Sequence, residues 1–369
     1  MERRTAATVR TKGSVRDEAR AGRMGAGAWV SCACVLLACA EGEGRCADGP
    51  CPRECDDVTV GACDVRKASC RRQILDAVIC VRGTPGAAPE VRTLTEGEYR
   101  SELEANANGD AGLGGGAFAD NDAGMRTDAA VPAPAIDHPH WDPALKLLGL
   151  LDPEVDSESA SIDEAVDDVG GFYNPDTHAI TLVDRGMPLD SIGAMRLMAH
   201  ELVHALQDEE VGLSELWDRG PGSVDARFAR GCLVEGDAEI YAELASAMLL
   251  GVTTDRRDWD RWLSRHLKYA RREVVQSPSP YLSVWQLRYP VGARYLIDAW
   301  QSGGNWQVRS LFEATPSSSI HWVVGFDAFR ERREFLVIPL ACDRAAVPAD
   351  YERAGVYSLG AASLFAFLG

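Results

Sequence analysis

Two histidines four residues apart, His200 and His204, enclose Glu201 in the run His-Glu-Leu-Val-His. On a helix, residues four apart lie one turn above each other on one face, so both imidazoles can reach a single cation. Glu201 falls on the flank of that pair, where its carboxylate reaches a water at the metal without being a ligand itself. The chemistry this suits is hydrolysis: zinc makes a water acidic, and a carboxylate base takes its proton near neutral pH. A catalytic zinc site needs three protein ligands and one open position. Two residues compete for the third place. Glu210 stands where a longer HExxHxxGxxH motif puts its last ligand, but that motif needs glycine at 207 and this chain has Gln207. Glu235, in Leu233-Val234-Glu235-Gly236-Asp237-Ala238-Glu239, is the better candidate. Small Gly236 and Ala238 beside it would let a second helix pack closely on the first.

These side chains need two long helices and a support. Asp190 or Ser191 is placed to cap a helix running to about Asp208, with Ile192, Met195, Met198, Leu202 and Leu206 on its buried side. A second helix runs from its cap at Ser223 to Leu250, where Gly251 stops it. Upstream, residues 171–184 (GFYNPDTHAITLVD) predict two strands around a turn at Asn174-Pro175-Asp176. Further helices are predicted over 71–80, over 94–104, and over 142–151 with Pro143 in first position. Three more fall over 258–275, 286–301 and 328–335.

The chain has 369 residues and a formal charge of −18, with 46% hydrophobic and 25% charged residues. That length holds one sizeable domain and a smaller appendage. Such acidity excludes nucleic acid as a partner, since phosphate binding needs a basic surface, and it repels anionic head groups. Any membrane attachment is then by a lipid anchor. The start runs against this balance: Arg3, Arg4, Arg10, Lys12, Arg16, Arg20 and Arg23 outnumber Glu2, Asp17 and Glu18, and an uncharged stretch from Met24 to Ala40 follows. Basic start, short apolar run and small residues read as a secretory signal. Its end, Leu36-Leu37-Ala38-Cys39, resembles the lipobox of bacterial lipoproteins, which makes Cys39 the lipidated residue. The competing reading is a plain secretory signal with incidental cysteines.

Of the chain's 11 cysteines, Cys46, Cys51, Cys55, Cys63, Cys70 and Cys80 cluster, which suggests three disulfides stapling a short segment. Cys232 and Cys342 stand apart and are candidates to pair with each other. The organisation read from these signals is a signal over 1–39, a cysteine-rich segment over 40–104, a flexible Ala/Gly/Asn/Asp-rich linker over 105–137, and a catalytic domain over 138–369.

The runs HELVHALQDEE and CLVEGDAEIYAE resemble the gluzincin branch of zinc metallopeptidases, of which thermolysin is the best-known member, and especially bacterial envelope proteins with HELxHALQDQ and EGxA motifs. Matching stretches are GFYNPDTHAITLVDRG and YPVGARYLIDAWQSGGNW, so the resemblance covers about residues 140–325. It implies an α+β zincin-like fold: a small mixed sheet, an active-site helix and a largely helical second half. It also implies His200, His204 and Glu235 as zinc ligands, Glu201 as general base, and a peptide or protein substrate. An acidic residue one turn after the glutamate ligand orients a histidine in such sites. Glu239 has that spacing, with Asp237 and Asp208 as rivals. Tyr289, Tyr295 and His321 are candidate donors to the developing oxyanion, and the family stretch favours Tyr289. The strand Ala179–Val183 corresponds to an edge strand along which an extended substrate pairs. His138, His140, His178 and His266 read as surface groups. The secretory signal, the lipobox and the cysteine usage predict an exported protein, lipid-anchored in the bacterial envelope or secreted. Two other readings stay open: a zinc amidase acting on cell-wall peptides, and a catalytically idle zinc-binding envelope lipoprotein.

Overall fold

The computed structural model describes residues 61–107, 138–186, 188–218, 223–252, 256–277, 280–314 and 317–326. The signal, Cys39, Cys46, Cys51, Cys55, Cys342, most of the linker and the helix expected over 328–335 lie outside these residues. In chain order the elements are α1 (Ala68–Arg82), β1 (Glu90–Thr95), α2 (Glu96–Ala107), α3 (His138–Leu147), α4 (Ser157–Asp168), β2 (Gly171–Asn174), β3 (Ala179–Asp184), α5 (Ile192–Val211) and α6 (Leu213–Asp218). There follow α7 (Val224–Leu249), α8 (Arg256–Gln276), α9 (Pro280–Ser283), a 3-10 turn (Val284–Leu287), α10 (Arg288–Glu313) and α11 (Ser319–Val324). The architecture is α+β, mostly helical with one small mixed sheet.

The sheet order is β1-β3-β2, with β3 parallel to β1 and antiparallel to β2. The β2–β3 hairpin forms where Asn174 punctuates the pattern. Its side-chain oxygen accepts from the backbone N–H groups of Asp176 (2.9 Å) and Thr177 (3.3 Å), an Asx turn that ends with His178 at a positive φ of 50°. The expected edge strand is therefore corrected: β3 is central. Its four consecutive buried residues, Ile180 to Val183, are what a strand covered on both faces needs. The strand that covers its other edge, β1, is mostly polar and exposed, so its apolar pattern does not announce it.

Helix α5 starts where expected. The Ser191 side chain accepts from the Ala194 N–H at 3.1 Å, and Gly212 closes the helix at φ 67°. It differs in its faces. Ile192 is 51% exposed, whereas every residue from Met198 to Gln207 is buried, so the helix runs through the core and not along its surface. Helix α7 is likewise buried from Phe228 to Ala242, and Ser223 caps it as expected. Gly236 has a different neighbour from the one expected. A Cβ there would lie 2.4 Å from the Gly292 carbonyl carbon, and one at Gly292 would lie 2.0 Å from the Cys232 oxygen. Gly236 and Gly292 thus let the α10 and α7 backbones touch each other. Helix α3 begins before Asp142, which places Pro143 inside it. Helix α4 (SESASIDEAVDD) escapes prediction because its polar face outweighs its apolar one; the Asp156 side chain caps it.

Residues 61–104 are no separate appendage. Helix α1 packs on α5 and α7, β1 joins the sheet, and Val65, Cys70, Ile74, Leu75 and Val78 belong to the same core as α5 and α7. A Cys63–Cys70 disulfide fixes the start of α1, and Cys80 is disulfide-bonded too. Cys232 is a buried free thiol, which corrects the suggested pairing with Cys342. No helix among the described residues is long and apolar enough to cross a membrane.

Candidate metal centre

His200 and His204 point from consecutive turns of α5 to one place, and Glu235 reaches it from α7. The two Nε2 atoms are 3.0 Å apart, and Glu235 Oε2 lies 3.3 Å from that of His200 and 3.4 Å from that of His204. A first-row metal ion with bonds of about 2.0–2.1 Å at tetrahedral angles holds its ligand atoms about 3.3 Å apart. The three donors therefore already stand at the separations a bound ion requires, and all are buried. This cluster has the chemistry and the spacing to hold a metal ion.

Outer contacts fix which nitrogen each ring offers. His204 Nδ1 faces Gln207 Oε1 at 2.8 Å. The orientation of that amide is itself decided, because Gln207 Nε2 donates to the Val234 carbonyl at 2.9 Å and to Asp237 Oδ2 at 2.8 Å. His200 Nδ1 lies 3.4 Å from Glu239 Oε1. Both rings thus have an acceptor at Nδ1, which assigns the proton there and leaves both Nε2 lone pairs directed at the common point. Glu239, read one turn after Glu235, sits beside His200. Asp237 reaches the other histidine through Gln207. Asp208 is engaged elsewhere, taking hydrogen bonds from the Tyr173 hydroxyl (2.8 Å) and the Leu213 N–H (2.8 Å) and lying 2.9 Å from His178. Glu210 pairs with Arg82 at 2.8 Å and Arg309 at 3.3 Å, which removes it as a ligand.

The centre gathers several buried carboxylates around the two rings. Glu201, Glu235 and Asp237 are fully buried, and Glu239 nearly so. Burial opposes a charge on His200, yet Glu235 and Glu239 outweigh it and raise its pKa well above the ordinary value. Burial likewise works against ionised Glu235, but the Arg288 guanidinium and then both histidines hold it well below the usual carboxylate range. Glu239 is held at about 2 against its own burial, chiefly by Arg196. For Asp237 burial prevails over Arg82 and Gln207, and its pKa is raised.

Glu201 follows His200 directly and adds its negative field to that ring. Tyr289 is brought to the site: its ring centre lies 6.1 Å from that of His200, and its hydroxyl accepts from Arg288 Nη2 at 3.1 Å. Arg288 is a residue that sequence reasoning missed. Buried at the start of α10, it sets Nε 3.6 Å from Glu235 Oε1, the oxygen turned away from the histidines. Gln207, at i+3 from His204, carried a usable signal, since that spacing puts it on the same helical face. Arg82 carried none. Tyr295 packs on Trp322 (4.5 Å) and Phe326 (5.4 Å), and His321, on α11, is a half-buried ring whose pKa burial lowers. His178 is exposed, as expected. His266 is not a plain surface group: it stacks 4.0 Å from Trp262 and its Nδ1 contacts the Trp262 carbonyl at 2.8 Å.

Comparison with family models, curated proteins and solved structures returns no match. The functional reading therefore stands on the residues themselves and on the resemblance of their motifs.

Proposed function

We propose that the chain is an exported zinc-dependent metallopeptidase of gluzincin type, with His200, His204 and Glu235 holding the ion. The observation that carries this reading is the pair of imidazoles with both Nδ1 atoms engaged and both Nε2 atoms converging beside one oxygen of Glu235. Two histidines and one carboxylate match the donor set of a catalytic zinc site that keeps a position open; a purely structural site more often fills it with cysteine or histidine. When bound, zinc supplies a Lewis acid that makes water acidic near neutral pH and polarises a carbonyl.

The chain's own residues do the rest. Glu201 takes a proton from the attacking water and returns it to the departing amine nitrogen. The carbonyl carbon gains the hydroxyl, the nitrogen gains the hydrogen, and the C–N bond breaks. Glu239 and Gln207 keep the two rings in the tautomer that binds metal. Arg288 balances the charge of Glu235, and the Tyr289 hydroxyl is the donor for the carbonyl oxygen as negative charge gathers on it. Glu201 has no place in a site that only holds an ion for stability, which argues against the idle lipoprotein.

The test uses the secreted chain as wild type and as Glu201→Gln. Zinc content is measured, and a peptide library is assayed for cleavage. One zinc per chain in both proteins, with cleavage lost by a factor of at least about 100 in the variant, fits general-base catalysis. Equal cleavage by both proteins overturns the role of Glu201, and absence of zinc from the wild type overturns the site.

A further inference from the structure

We infer that Arg82, from the cysteine-rich segment, is a positioning residue of the metal centre that acts on His204 through Asp237 and Gln207. This rests on the metal-binding reading but not on peptidase activity. Arg82 is the last residue of α1 and is only 2% exposed. Its Nε donates to Asp237 Oδ2 at 3.2 Å, and that same oxygen accepts from Gln207 Nε2 at 2.8 Å. Gln207 Oε1 in turn faces His204 Nδ1 at 2.8 Å. Without Arg82, the Asp237 carboxylate would be a buried charge lacking its cation, free to turn away from Gln207. Gln207 would then keep only the Val234 carbonyl of the two acceptors that fix its amide, and its hold on His204 would loosen.

The placement of Arg82 is itself built. Gly83 caps α1 at φ 71°, and α10 breaks at Gly304, φ 64°, in the Gly-Gly-Asn run. Just beyond the break, Asn305 Nδ2 donates to the carbonyls of Val81 (3.0 Å) and Arg82 (2.8 Å), and its Oδ1 accepts from the Tyr241 hydroxyl (2.9 Å) and Trp300 Nε1 (3.1 Å). Arg309 Nη2 donates to the Gly83 carbonyl at 2.6 Å. The end of α1 is thus gripped by side chains of α10. Arg82 Nη1 also holds Thr84 Oγ1 (3.0 Å) and Glu210 (2.8 Å), so with Asp237 the guanidinium has three partners. A segment whose sequence suggests a disulfide-stapled appendage supplies part of the support of His204.

The experiment uses the full secreted chain as wild type, Arg82→Met, Arg82→Lys, Gln207→Leu and Arg82→Lys/Gln207→Leu. Zinc affinity is read by competition with a chelator, the visible spectrum is read after cobalt substitution, and urea unfolding is followed alongside. Arg82→Lys keeps the charge but lacks the planar fork, so it decides the matter if Arg82→Met does not fold. Each single variant is expected to lose about 10–100-fold in zinc affinity with an altered cobalt spectrum, and the double variant to lose no more than Gln207→Leu alone. Wild-type affinity and spectrum in a folded Arg82→Lys, or losses that multiply in the double variant, overturn the relay. A wild type that binds neither zinc nor cobalt overturns the metal reading itself, which separates the two failures.

Discussion

The two histidines of the centre are supported in opposite ways. His200 leans on Glu239, which pairs with Arg196, and Arg196 also reaches Glu243 at 3.2 Å; the Arg196 side chain is 29% exposed. All three supporting residues lie on α5 or α7, and water can share in their solvation. His204 leans on Gln207, Asp237 and Arg82, with side-chain exposures of 0–2%, and the last of them comes from α1, far back in the sequence. A buried pair loses the help of water entirely, so removing one partner strands the other's charge. Similar roles on the two sides should therefore carry very different penalties, and that difference can be measured.

Asp237→Ala should break the comparison hardest. It leaves buried Arg82 with Glu210 as its remaining carboxylate partner and removes an acceptor of Gln207, and a loss of about 3 kcal/mol in unfolding free energy by urea denaturation is expected. A loss below about 1 kcal/mol would mean that the His204 side relaxes as freely as a surface pair. Next in size, Cys63→Ser/Cys70→Ser opens the short loop before α1, and about 2–3 kcal/mol should be lost by loop entropy. If α1 supports His204 as inferred, this distant variant also weakens zinc retention against a chelator.

The same contrast separates what could be read in the sequence from what could not. His200, Glu201 and His204 follow from helical spacing, and the helices that carry them follow from their caps and apolar pattern; Glu239 needed the family resemblance, which left Asp237 and Asp208 as rivals. Glu235 needed the exclusion of Glu210 and a family resemblance, since nothing local ties α7 to α5. Arg288 and Arg82 were invisible. Each is an ordinary basic residue until the fold buries it against a carboxylate remote in sequence. β1 was missed for a related reason: Glu90–Thr95 is mostly polar, and only pairing with β3 makes it a strand. Gly236 was recognised as a close-packing residue but assigned to the wrong neighbour, because spacing says that a helix face is small and not which helix lies on it.

On the His200 side the expected effects are smaller. Arg196→Ala removes hydrogen bonds to Glu239 and Glu243 that are partly open to solvent, so a loss of about 1–2 kcal/mol is expected. Its effect on zinc affinity should be nearer tenfold than hundredfold. An Arg196→Ala penalty equal to that of Asp237→Ala would erase the distinction between the two sides.

The smallest effect calibrates the rest. Ser191 caps α5 before either histidine and touches neither outer network, so Ser191→Ala should cost about 1 kcal/mol in stability by loss of one N-cap hydrogen bond. Because α5 is clamped along its buried length from Met198 to Gln207, fraying its first turn should leave the Nε2 atoms where they are. Zinc affinity and the cobalt spectrum should then match the wild type although stability has fallen. A cap variant that weakened zinc binding as much as Arg196→Ala would show that general loss of stability, and not the local support of each ring, governs the metal centre.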